Sequence, residues 1–159
     1  MGTPFDNIYD LFLARIEQDE WAEEMGDDLD LMKEDWFQFL QMAINRFMFP
    51  RVSLELDKEN ECFNEELGQQ EMQLLAVFMK NEWLKRQVAS WKLIQQQYHT
   101  KDFEFLSQAN HLDKLLDLLD ISNKECLNMT NLYSRVQDHK PFDYNQLAGG
   151  KREWKMILK

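Results

Sequence analysis

Cysteine, proline and glycine are all scarce, at two, three and five in 159 residues. So few turn and breaker residues argue against a loop-rich or low-complexity chain. Cys62 and Cys126 lie too far apart in sequence to suggest a local disulfide framework. The start, MGTPFDNIYD, lacks the basic region and apolar run of a secretory signal, so reduced thiols are expected. It also lacks an N-myristoylation pattern, since Asp6 stands where Ser or Thr is wanted. Histidine is rare and scattered (His99, His111, His139), and no CxxC or HxxxH spacing occurs. DKENECFNEE resembles a calcium loop only loosely, because it has no glycine at the sixth position. There is no glycine-rich phosphate loop after a strand and no G-x-S-x-G elbow. The expectation is therefore no catalytic residue, no metal and no cofactor. No apolar run reaches the ~18 residues that would cross a membrane. Positive charge is short as well: 18 Lys and Arg face 29 Asp and Glu, a net −11. That argues against a general nucleic-acid surface, which needs excess cations to displace counterions.

What the chain does have is aromatic and aliphatic residues at helical spacing. Thr3 and Pro4 read as the start of a first helix, with Ile8, Phe12 and Ile16 on one face and Gly26 as its stop. Asp27 or Asp28 can cap a second, whose stripe of Met32, Trp36, Phe39, Leu40, Ala43, Ile44 and Phe47 ends before Pro50. A third runs from about Gln69 to Tyr98. Its first half is apolar on more than one side, which predicts cover from another subunit. After HTKDF, Asp102 or Ser107 caps a fourth helix, and Ser122 with Glu125 forms a capping-box pattern opening a fifth through Tyr133. The fold class is all-α, a bundle of about five helices over residues 1–138. Its predicted core includes Trp36, Phe39, Ile44, Phe78, Leu84, Leu112 and Leu116. Acids such as Asp30, Glu34 and Asp35 crowd the second helix start, where the helix dipole favours them.

Two segments do not fit the bundle. In RVSLEL, residues 51–56, Val52, Leu54 and Leu56 alternate with polar residues at strand period. A strand needs a partner, and a neighbouring subunit or the WKMILK end of the same chain could supply it. The second segment is 139–159, an extended C-terminal arm. Phe142, Tyr144, Leu147, Trp154 and Ile157 are apolar anchors, and Lys151 and Arg152 begin a basic cluster after the Gly149–Gly150 joint. Such an arm fits a segment that orders against a partner, although folding back on its own bundle is the competing reading.

AINRFMFPRVSLEL, FNEELGQQEMQLLAVFMKNEWLKRQVAS, DFEFLSQANHLDKLLDL and NLYSR together resemble the small helical head–tail connector (adaptor) proteins of tailed bacteriophages. The likeness spans about Tyr9 to Arg135, and its motifs are diffuse rather than diagnostic. The resemblance implies a virion structural protein of the neck, made in the host cytoplasm and without enzymatic activity. It implies self-assembly into a ring, usually twelvefold, bound to the portal protein above and to tail or neck proteins below. DNA would pass through without specific binding, and no membrane would be involved. In this setting RVSLEL could pair with a neighbouring subunit, and the arm could embrace the portal. A cytoplasmic helical scaffold or adaptor is the second reading. A helical enzyme using carboxylate-held magnesium is the third, and it needs inward carboxylates on facing helices.

Overall fold

The computed structural model describes residues 2–16, 28–97 and 104–137. Four helices and one small sheet are formed there: α1 (Phe5–Leu13), α2 (Leu29–Arg46), β1 (Leu56–Asp57), β2 (Cys62–Phe63), α3 (Gln69–Gln97) and α4 (Glu104–Gln137).

Helix α1 begins after Pro4, which is extended at φ −62° and ψ 145°. Phe5, Ile8, Tyr9 and Phe12 then fall at the spacing of one helical face, and all four are buried. Thr3 does not cap this helix. Its hydroxyl instead accepts from the Leu67 amide at 2.7 Å. Asp28 caps α2, accepting from Leu31 N at 3.2 Å. Phe47 leaves helical geometry at ψ 89°, three residues ahead of Pro50. The predicted continuation of the first helix towards Gly26 lies outside the described residues beyond Ile16.

Helix α3 is the axis of the fold. It packs against α1, α2 and α4. Leu74 through Met79 are buried without interruption, as are Trp83 and Leu84. A helix buried all round needs neighbours all round, and here the same chain provides them. Another subunit was expected as cover for its first half; within the chain, α1, α2 and α4 pack there. Each fully buried Leu or Met on this axis is worth about 1.5–3 kcal/mol of burial.

The predicted fourth and fifth helices are one. Helix α4 runs unbroken through Ser122 and Glu125 and lies antiparallel to α3 along most of its length. Tyr133 meets Glu71, Cys126 meets Val77, Asn81 meets Ser122, and His111 meets Trp91. Towards the far end, among the described residues, these two helices alone close a small separate cluster of Val88, Leu112 and Leu115. Leu112, Leu115, Ser122, Cys126 and Tyr133 make the inner face, so Leu116 falls off it and is exposed rather than core. Ile44 is only half-buried at the edge of the main cluster. The other five predicted core residues are buried.

The RVSLEL question has a local answer. Only Leu56 and Asp57 form a strand, paired antiparallel with Cys62 and Phe63 in a tight hairpin. Asp57 holds the turn by accepting from the Glu59 and Asn60 amides, and Glu61 takes the left-handed conformation at φ 49°. Residues 3–5 cover the other edge of β2, with Phe63 N donating to Thr3 O at 2.8 Å and Phe5 N to Glu61 O at 2.9 Å. Gly2 lies so close that a Cβ there would sit 1.6 Å from the Phe63 carbonyl oxygen. Val52 and Leu54 precede the ladder and lean, half-buried, on their own core. Of the three residues expected to form an inter-subunit strand, Val52, Leu54 and Leu56, only Leu56 is in a strand, and its partner there is Phe63 of the same chain.

Candidate functional site

Tyr133 joins the loop after α2 to the bundle. Its buried ring meets Phe47 edge-on at 5.2 Å, and the Arg51 guanidinium lies 4.1 Å from its centroid. Its hydroxyl donates to Glu71 Oε1 at 2.8 Å and accepts from Arg51 N at 2.9 Å. Arg51 Nη2 returns to the Tyr133 carbonyl at 2.6 Å, and Nη1 reaches Gln70 Oε1 at 3.1 Å. Burial, and after it the hydrogen bond to Glu71, pushes the Tyr133 pKa above its ordinary value. A neutral phenol is thereby kept as donor and acceptor at once.

This knot shapes the surface on both sides. One side is a groove of about 460 Å³ between the end of α2 and the last third of α4, lined by Phe47, Met48, Phe49, Leu127 and Thr130 among others. Met48 and Phe49 are 75% and 73% exposed, and Leu127 is 62% exposed. They project because Phe47 breaks the α2 helix and turns inward, which sends the next two side chains out before Pro50. The other side is a recess of about 260 Å³ against Leu74, Met129 and Leu132. Further along the α3–α4 hairpin, Leu93, Leu118 and Ile121 also face outward. Isolated exposed leucines are ordinary, but a groove flanked by adjacent exposed Met and Phe is the kind of apolar patch that interaction surfaces carry.

The groove floor is held by a polar tie. Asn81, fully buried, donates to Ser122 Oγ at 3.1 Å and Asn123 Oδ1 at 3.0 Å and accepts from Arg46. Cys126 beside it is buried, and desolvation raises its thiol pKa, so it is an inert core thiol. Cys62 and Cys126 are both free thiols. A third cavity, about 410 Å³, opens between α1, α2 and the hairpin over Phe5, Tyr9 and Phe37. Lys33 at its rim pairs with Asp6 at 2.9 Å and with Glu61 at 3.7 Å. Among the described residues, no three His, Cys, Asp or Glu side chains gather as a metal site. No described helix is long and apolar enough to cross a membrane.

The arm residues singled out from sequence, Phe142, Tyr144, Leu147, Lys151, Arg152, Trp154 and Ile157, lie outside the described residues. Sequence reasoning missed the groove. Met48 and Phe49 fall off the α2 period directly before a proline, and that was the available signal. It also missed Asp35, read only as one of the acids that the helix dipole favours at the start of α2. Asp35 is buried and takes a two-pronged contact from Arg86 at 2.5 and 2.7 Å. No protein-family model, no curated protein and no solved structure matches the chain.

Proposed function

We propose that the chain is a head–tail connector (adaptor) of a tailed bacteriophage: a structural virion protein that rings the underside of the portal, extends the DNA channel and offers the tail or neck a docking surface. The observation that carries this reading is the way the resembling stretches converge. Phe47 and Arg51 from AINRFMFPRVSLEL, Glu71 from the FNEELGQQEMQLL stretch and Tyr133 from NLYSR meet in one knot. Beside that knot lies the exposed Met48–Phe49 groove. In a ring, each copy meets the next through a heterologous contact that closes on itself, and an apolar groove is suited to one half of such a contact. The acidic excess suits a channel wall, because like charge discourages phosphates from sticking.

The test is to mix the chain with the portal protein encoded in the same genome and image the product by electron microscopy. Stacked rings on the portal are expected. The double variant Met48→Ser, Phe49→Ser should keep the melting temperature of the parent yet fail to form them. Absence of any ring, with tail or neck proteins also supplied, would defeat the connector reading.

A further inference from the structure

We propose that, in the free protein, the groove beside Tyr133 is a docking site for the chain's own segment 142–147, which carries Phe142, Tyr144 and Leu147. Helix α4 ends at Gln137, one turn past Tyr133 and Ser134, which themselves line the groove. The remaining residues, 138–159, therefore leave from the edge of the surface in question. Pro141 stands immediately before Phe142 and disfavours helical geometry at the residue ahead of it.

Reach and chemistry agree. From Gln137, where α4 ends, to Phe142 is five residues, spanning at most ~18 Å when extended, and to Leu147 ten residues, at most ~36 Å. The α4 face that lines the groove, from Asn123 to Ser134, is ~17 Å long at the helical rise. The segment can thus turn back along the whole of it. The lining is largely apolar and presents Met48, Phe49 and Leu127 to solvent. A segment with two aromatic rings and a leucine within six residues offers the matching side chains.

Magnitude decides which occupant takes the groove. A contact of this size is weak between separate molecules, but a short tether gives an effective concentration on the order of millimolar. At micromolar protein the tethered segment outcompetes a second copy. This contact does not depend on the connector reading, because it is measured on the isolated protein without a portal.

The experiment places a benzophenone-bearing phenylalanine analogue at Phe142 in the full chain, irradiates it in dilute solution and maps the adducts by mass spectrometry. Adducts within the same chain, on residues 46–49 or 123–134, are expected, with a yield that does not change with protein concentration. Phe49→Ser with Leu127→Asp, both at exposed positions, should lower that yield several-fold without altering the melting temperature. Adducts only elsewhere, none at all, or adducts only between chains with yield rising with concentration would each overturn the proposal. Failure of the connector reading would show separately, as missing rings on the portal with the intramolecular adduct intact.

Discussion

At the scale of single residues, Asn81 has the most unusual position. It is a polar side chain with no exposure, two residues past the buried apolar run Leu74–Met79 of α3. Its amide answers Ser122 and Asn123 on α4 and Arg46 on α2, so one side chain fixes the alignment of three helices. Buried polar networks are costly when half satisfied, since each orphaned group keeps its desolvation penalty. Replacing Asn81 with Leu should therefore cost about 1–3 kcal/mol, although Leu is the more apolar residue. Urea unfolding checks this. A more stable Asn81→Leu protein would show that the network contributes less than simple burial at that point.

At the scale of elements, the loop between α2 and β1 is held to α4 mainly through Arg51 and Tyr133. The Tyr133→Phe change keeps the ring against Phe47 but removes the hydroxyl that serves Glu71 and the Arg51 amide. The expected cost is about 1–3 kcal/mol, because Glu71 is buried and loses a donor. Hydrogen exchange should speed up at Arg51 and its neighbours while the α3–α4 contact stays protected. These elements were unequally legible in the sequence. The start of α2 and the extent of α3 could be read because Asp28 and the flanking glycine and proline act locally. The unity of α4 could not, because Ser122 and Glu125 carry a capping signal that loses to a partner across the core. Only the contact with Asn81 shows that Ser122 belongs to a helix interior. The alternation in Val52–Leu56 marked half-burial correctly, but half-burial against one's own core does not require a ladder. The groove was hidden for a related reason: the outward turn at Phe47 is set by its contacts with Phe78 and Tyr133, residues distant in sequence.

At the scale of the whole molecule, the shifted groups that titrate in alkaline solution share one direction. Burial raises the pKa of Tyr9, where Glu61 and Asp6 push it further. Burial also raises Cys126 and Tyr133, and the hydrogen bond to Asp6 raises Lys33. In every case the folded value lies above the unfolded one. Such groups favour the folded state fully below their unfolded pKa and lose that contribution as pH rises towards the folded value. The ordinary values are 9.0 for the thiol, 10.0 for the phenols and 10.5 for the amine, so the melting temperature should fall steadily above about pH 9. Tyr9→Phe should flatten part of that fall, because it removes a group that ionises more readily in the unfolded chain. A profile as steep in the variant as in the parent would assign the alkaline loss to the remaining groups.

The pairing of residues 3–5 with 61–65 has a consequence in time. On a ribosome, α1 is made before any residue that can hold it. Its entry segment waits for Glu61, Phe63 and Leu67, some sixty residues downstream by the Thr3–Leu67 separation of 64. Closing a loop of that length costs more entropy than zipping the α3–α4 hairpin, whose contacts spread outward from a single turn. The nascent chain therefore carries the apolar face of α1, with Phe5, Ile8, Tyr9 and Phe12, unsheltered through much of its synthesis. A stretch made well before its partners is locked late, and it is there that a chaperone would find its grip.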